Sequence, residues 1–363
     1  MSPHDLALAQ PPGSSGPGTQ FLAEIKEQPQ ALLDLLQHRT DFDRVAATMR
    51  ERSASLVRLV GHGSSDNAAS YAVYAFGLEP RWTALRDSIT LTVHYGTKLD
   101  MRGSTVLGLS QSGRTPDVIE YVERARKAGA FTVALTNELD SPLADAAEAV
   151  LPLTAGAEHA VAATKTYLNT LAALGLLAAA VAGRGAVFEE SLRGVADQLN
   201  AFIPTLEQTI GAIAAPFTYT GRMFVVGRGA EFSTAREISL KLLETCRIAA
   251  EPITATDLAH GPVAALDPLF PVWLIASADK TLRAVVEAAA RARTAGATLI
   301  ASGSRAAAIK GAEYVLPTPE PASPLLGPLL SIVPGQLFAW AVARAKGLDP
   351  DAPRGLTKVT LAR

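Results

Sequence analysis

Ser110, Gln111, Ser112 and Thr115 stand together in TVLGLSQSGRTPD, where the apolar run through Val106, Leu107 and Leu109 stops abruptly. Pro116 and Asp117 then open a helical pattern, with Thr115 at the N-cap position and Pro116 at the first helical position. Free backbone N–H groups and the positive end of a helix dipole favour an anion at such a turn. The hydroxyls add donors without adding charge. No lysine follows Gly113, so a Walker-type nucleotide loop is not supported. A small phosphate monoester, such as a sugar phosphate, suits the turn better. An ordinary strand–helix connection is the competing reading of this segment. Ser64 and Ser65 follow an earlier apolar run in LVRLVGHGSS and offer hydroxyls in the same way.

A second group of residues suits acid–base work. In REISLKLLE, Glu237, Lys241 and Glu244 share one helix face. A salt-bridged surface stripe has the same spacing. Leu240, Leu242 and Leu243 bracket the face, and a partly buried carboxylate has a pKa open to tuning, as a general base requires. His260 lies in TATDLAHGP, a loop with a Gly-Pro stop. Lys358 by position alone belongs to a terminal tail. His159 and His260 stand alone in the sequence and there is no HExxH, so no metal site is expected. GHGSS lacks the serine spacing of a nucleophile elbow, and GRGAEF lacks the third glycine of a dinucleotide fingerprint. No organic cofactor is expected either.

The elements that must position these residues follow from length and pattern. The chain has 363 residues, 48% hydrophobic and 19% charged, enough for two well-packed domains. A net charge of −2 gives no reason to expect nucleic acid or a membrane surface as partner. One cysteine, Cys246, excludes an internal disulfide and fits a reducing cytoplasm. The first residues lack the basic and apolar regions of a signal peptide. Leu171 to Gly183 is apolar but too short to span a bilayer, and reads as a buried Ala-rich helix.

The two halves of the chain superimpose. LVRLVGHGSS (56–65) matches RMFVVGRGAE (222–231), pairing Gly61 with Gly227 and Gly63 with Gly229. At nearly the same offset, STVLGLSQS falls on LFPVWLIASA, KAGAFTVAL on TAGATLIAS, and AEAVLP on AEYVLP. Self-similarity over this length is a tandem domain duplication. Short apolar runs alternate with helical patterns, which implies an α/β fold: in each half a flavodoxin-like parallel sheet with helices on both faces. Such sheets bind ligands outside the carboxyl ends of their strands. In the second half the serine-rich turn has become Ala276-Ser277-Ala278, so only the first half is expected to hold the phosphate. Helices are expected over Phe21 to Leu36 and over Val187 to Ile213.

These motifs carry a family likeness. AEIKEQP, GHGSS, LSQSGRTPD, AVAATKTY, GRGAEF, EISLKLLE, DLAHGP and PRGLTK occur in the order in which similar motifs occur in the sugar isomerase (SIS) domain pair of the glutamine–fructose-6-phosphate aminotransferases. The chain resembles that pair from about Phe21 to its end. The resemblance implies that Ser64, Ser65, Ser110, Gln111, Ser112 and Thr115 hold the sugar phosphate. Val161 and its neighbours, Ala163 among them, line the sugar pocket. It implies that Glu244 shuttles a proton between C1 and C2 with Lys241 assisting. His260 opens the sugar ring from the neighbouring subunit of a homodimer, and Lys358 contacts the open-chain sugar. The implied layout is a flexible tail (1–19), an N-terminal helical segment (20–50), SIS domain 1 with the phosphate (51–186), linker helices (187–217), SIS domain 2 with the catalytic helix and loop (218–345), and a C-terminal tail closing on the site (346–363).

Two departures border the pocket: Ala163 stands where the family usually has Ser, and Arg114 where it has Glu. A third concerns the reaction. The aminotransferases begin with a glutaminase domain whose nucleophile is an N-terminal cysteine, whereas here Met1 is followed by Ser2. The expected direction is therefore the reverse one, an isomerising deaminase that takes glucosamine 6-phosphate and water to fructose 6-phosphate and ammonia without glutamine. A deglycase of 6-phosphofructosyl-amino acids is the alternative enzyme, with Ala162 and Ala163 leaving room for a larger amine. A non-catalytic sugar-phosphate sensor is the alternative outside enzymes. The expected small-molecule partner is a phosphorylated amino sugar or ketose phosphate.

Overall fold

The computed structural model of the protein describes residues 16–358. The flexible tail expected at 1–19 lies for the most part outside the described residues. Three helices come first: α1 (Thr19–Lys26), α2 (Gln28–Leu36) and α3 (Arg39–Glu51). The single helix expected over Phe21–Leu36 is split at Glu27, because Pro29 suits a helix start and not a helix interior.

The first unit runs β1 (Leu56–Val60), α4 (Ser64–Leu78), β2 (Thr83–Arg86), α5 (Ile89–Val93), β3 (Ser104–Leu109), α6 (Pro116–Lys127), β4 (Phe131–Thr136), α7 (Pro142–Ala146) and β5 (Ala149–Pro152). Two long helices follow, α8 (Lys165–Val181) and α9 (Gly185–Ala214). The second unit runs β6 (Arg222–Gly227), α10 (Glu231–Cys246), β7 (Ala249–Thr254), β8 (Val272–Ile275), α11 (Leu282–Thr294), β9 (Leu299–Gly303), β10 (Tyr314–Pro317) and α12 (Gly327–Ala345). Each unit forms a five-stranded sheet, in the orders β2-β1-β3-β4-β5 and β10-β9-β8-β6-β7, and every strand pairing is parallel. Read from the other edge, the second order repeats the first, as a duplicated flavodoxin-like α/β unit requires.

The alternation of side chains along the strands divides the core into layers. Leu59, Leu107 and Val133 face inward, as do Val225, Trp273 and Ile300 from the other sheet. They enclose one continuous core with α4, α8, α10 and α12 between the sheets. The outer faces are covered separately: Val60 and Val106 pack under α6, and Val226 and Leu274 under α11. Every residue of α8 is buried. The span Pro324–Ala345 is long and apolar enough to cross a membrane by composition, yet 94% of its most apolar 18-residue window is buried inside this core.

α10 is seated by α12. A Cβ at Gly335 of α12 would overlap the Ile238 side chain of α10, so only glycine lets the two helices approach this closely. The helix that carries Glu237, Lys241 and Glu244 thus lies in the central layer, packed on one side by α12 and on the other by α4.

Candidate functional site

A cavity of about 420 Å³ opens at the carboxyl ends of β1 and β3. Its floor is the turn from Ser110 to Thr115, and its walls include His62, Ser65, Asp117 and Lys358. The turn is shaped by Gly113, whose φ is +63° and whose N–H donates to the Ser110 carbonyl. A Cβ there would also collide with the Ser141 side chain, so no larger residue fits. Thr115 occupies the N-cap position of α6, but its hydroxyl makes no capping bond. It pairs instead with the Ser110 hydroxyl at 3.0 Å, so it caps none of the N–H groups that follow Pro116 in the first turn of α6. α4 starts at Ser64 on the other side of the cavity, so two helix N-termini converge on it.

Ser64 departs from the expected arrangement. Its hydroxyl donates to Glu237 Oε1 at 2.8 Å, and it does not line the cavity. Asn67 Nδ2 donates to the other oxygen of Glu237 at 2.7 Å. Lys241 Nζ lies 3.4 Å from Glu237 Oε1 and donates to Glu244 Oε2 at 2.7 Å. Glu237 and Lys241 are fully buried, while the Glu244 side chain is 23% exposed. The stripe on α10 is therefore no solvated salt-bridge ladder. Burial alone would discharge Lys241, but the two carboxylates outweigh it and hold its ammonium above the usual lysine range. Burial pushes the Glu237 carboxyl up, against the pull of Lys241, Asn67 and Ser64. The result is a relay from the β1–α4 loop of one unit through α10 of the other to a half-open carboxylate.

The C-terminal segment crosses to the same region. Asp351 accepts from the N–H groups of Gln20 and Phe21, and its carbonyl accepts from Val161 N at 2.9 Å. Lys358 Nζ donates to Glu158 Oε2 at 2.7 Å and to the Ala160 carbonyl at 2.6 Å. Glu158 is buried. Burial alone would raise its pKa, but the Lys358 ammonium and the donors of Thr166 and Thr164 hold it below the usual carboxylate range. Glu24 of α1 braces the same loop by accepting from the N–H groups of His159 and Ala160, and burial pushes its pKa up to about 7.

The other expected site residues lie apart. Val161 and Ala163 are half-buried on the loop that holds Lys358 and do not line the cavity. His260 ends a 3-10 turn (Asp257–His260), is exposed, and does not line the cavity either. Three groups escaped the sequence reading as site members. Glu158 and Glu24 gave no local signal, because their partners are distant in sequence. His62 was visible in GHGSS, but nothing local pairs it with Asp117, whose carboxylate lies 2.7 Å from its Nε2.

The second unit explains why it holds no matching cradle. Glu231 stands at the position equivalent to Ser65. Its carboxylate accepts from Ser277, Ser331 and Thr234 and is fully buried. Thr281, equivalent to Thr115, donates to Asp279. The hydroxyls of this cradle are already satisfied by the protein's own acids.

The family model for the SIS domain matches residues 52–180 and again residues 217–344. The chain is similar to the glutamine–fructose-6-phosphate aminotransferase [isomerizing] of Leifsonia xyli subsp. xyli, with 31% identity over 99% of this chain and 61% of the relative. It thus spans about three fifths of the length of that curated relative. Among solved structures, a Silicibacter pomeroyi protein provisionally described as a phosphosugar isomerase is 31% identical, covers 92% of this chain and 99% of its own, and has a TM-score of 0.80. The C-terminal domain of glucosamine-fructose-6-phosphate aminotransferase from Francisella tularensis shares the fold with a TM-score of 0.85, at 24% identity, over 95% of this chain and 100% of that domain.

Proposed function

The chain belongs to the SIS domain family, and on that premise we propose that it is an isomerising deaminase, converting glucosamine 6-phosphate and water to fructose 6-phosphate and ammonia. The observation that carries this reading is the relay Ser64–Glu237–Lys241–Glu244, which ties a phosphate-type cradle to a carboxylate paired with a buried lysine.

In this reading the phosphate docks on the Ser110–Thr115 turn, held by Ser65, Ser110, Gln111, Ser112, Thr115 and the helix N-termini. Ser64 acts at one remove, by fixing Glu237. Fixing the non-reacting phosphate supplies binding energy for positioning the reacting carbons. Glu244 removes the C2 proton of the open-chain amino aldehyde and returns it to C1 through an enolamine. Lys241 orients Glu244 by donating to its Oε2. The product is a C2 imine; water adds to it and ammonia leaves, giving the ketose. Lys358 meets the open-chain sugar at the rim. His260 opens the ring, supplied across a homodimer interface by a second copy of the chain. The one cysteine of this chain, Cys246, takes no part in this scheme. It is buried, donates to the Ala339 carbonyl, and has its pKa pushed up to about 11.

The test is ammonia and fructose 6-phosphate production from glucosamine 6-phosphate, with no glutamine and no metal added. Stoichiometric release of both is expected, and Glu244→Gln should abolish turnover while keeping sugar-phosphate binding. Full activity in that variant overturns the role of Glu244. Binding without release by the unaltered chain overturns the deaminase and favours a deglycase of 6-phosphofructosyl-amino acids.

A further inference from the structure

The phosphate cradle contains a His–carboxylate dyad that the proton-shuttle reading leaves unused. His62 and Asp117 each adjoin residues of the cradle, one on the Gly63–Ser65 turn and the other just after Thr115. Their side chains meet at 2.7 Å, and both line the cavity. The His62 side chain is 56% exposed and that of Asp117 only 8%. Asp117 Oδ1 has no hydrogen-bond partner although it is buried. A bare carboxylate oxygen beside a phosphate cradle repels the ligand unless a cation screens it.

The sources of such a cation are few. Among the described residues lining the cavity, positive charge can come only from His62 and Lys358, and Lys358 is already paired with Glu158. Behind the cradle, Asp66 of α4 is paired with Arg86 and Arg236, and Glu237 of α10 with Lys241. Arg114, on the exposed side of the turn, does not line the cavity. The imidazole is thus the group best placed to balance a phosphate dianion.

We propose that His62, oriented by Asp117, reads the phosphoryl group as an imidazolium, so that a dianionic sugar phosphate binds together with one proton. With Nε2 held by Asp117, Nδ1 is the nitrogen that donates to a phosphoryl oxygen. The ligand class is a phosphate monoester dianion; a neutral sugar or a phosphodiester gains nothing from the pair. The inference rests on the proposal that a sugar phosphate occupies this cavity.

The experiment is titration calorimetry with D-glucitol 6-phosphate, which has no carbonyl and cannot isomerise. It is run at pH 8 in two buffers of different ionisation enthalpy. A phosphate monoester has its second pKa near 6 and is already a dianion at that pH, whereas an ordinary histidine with a pKa near 6.5 is mostly neutral. Any proton taken up on binding therefore comes to the protein. The unaltered chain is expected to take up between about half a proton and one proton per site. His62→Gln, which keeps a donor toward Asp117 but cannot be charged, should show no uptake. It should also bind roughly ten- to a hundredfold more weakly at pH 7, the range of a hydrogen bond to a charged group. Asp117→Asn should reduce the uptake. Equal uptake in the unaltered chain and His62→Gln, or none in either, overturns the role of His62. Absence of any binding to the unaltered chain overturns the sugar-phosphate reading itself.

Discussion

Replacing Lys241 with methionine tests the relay at its centre. The ammonium is 1% exposed and lies 2.7 Å from Glu244 and 3.4 Å from Glu237, so methionine fills much of the same space and removes only the charge. Two carboxylates then face each other without a cation, one of them fully buried. Removing one partner from a buried ion pair costs about 3–5 kcal/mol. Unfolding entropy of roughly 2.1 cal/mol/K per residue gives about 0.8 kcal/mol/K for a chain of 363 residues. The melting temperature should therefore fall by about 4–6 °C at pH 8. The sign of the pH dependence follows from Glu237. Burial already raises its pKa, and without Lys241 the carboxyl rises further above its unfolded value. A carboxyl with a raised folded-state pKa is least costly when protonated, so the deficit should shrink as the pH is lowered from 8 to 5. The double variant Lys241→Met/Glu237→Gln removes the buried charge with its counter-charge and should recover most of the loss. Scanning calorimetry at both pH values measures all of this. A deficit below about 1 kcal/mol, one that is the same at pH 5 and pH 8, or a double variant no better than the sum of the singles would refute the buried-relay reasoning.

Glu24→Gln keeps an oxygen for the N–H groups of His159 and Ala160 but removes a buried charge whose pKa is pushed up to about 7. The native chain should lose about 1–3 kcal/mol between pH 5 and pH 8 from this group, because its neutral form is favoured below the folded-state pKa, and the variant should lose that slope in urea unfolding. Lys358→Met leaves the buried Glu158 without its cation and should loosen the C-terminal segment. Trypsin cleavage at the exposed Arg354 is expected to quicken about tenfold, equivalent to roughly 1.4 kcal/mol; an unchanged rate would mean that other contacts hold the segment.

The duplicated unit and its parallel sheets were legible because wholly buried strands such as β3 and β4 read as short, mainly apolar runs. The strands that the repeat did not reveal are β2 and β7, which lie next to β1 and β6 at one edge of each sheet. Their half-exposed residues, Thr83–Arg86 and Ala249–Thr254, carry no continuous apolar signal. The Ser110–Thr115 turn was legible from its own composition. The burial of Glu237 and Lys241 was not, because helix spacing says which residues share a face but not what covers it; here the cover is α4, whose Ser64 and Asn67 lie 173 and 170 residues away. The same limit hid His62 with Asp117 and Lys358 with Glu158, pairs made only when the chain has folded.

The duplication itself has been put to unequal use. In the first unit the cradle hydroxyls of Ser110 and Thr115 satisfy only each other, so they can turn to a ligand at little cost. In the second unit the same positions in the fold are closed by Glu231 and Asp279, which accept from Ser277, Ser331, Thr234 and Thr281. The buried carboxyl of Glu231 gives the hydroxyls of Ser277, Ser331 and Thr234 an acceptor from within the protein. That frees α10 from serving a ligand at its N-terminus, and its later turns present Glu237, Lys241 and Glu244 to the first unit instead. The seam between α4 and α10 joins the two units through two carboxylates, Glu237 of α10, which accepts from Ser64 and Asn67, and Asp66 of α4, which pairs with Arg236.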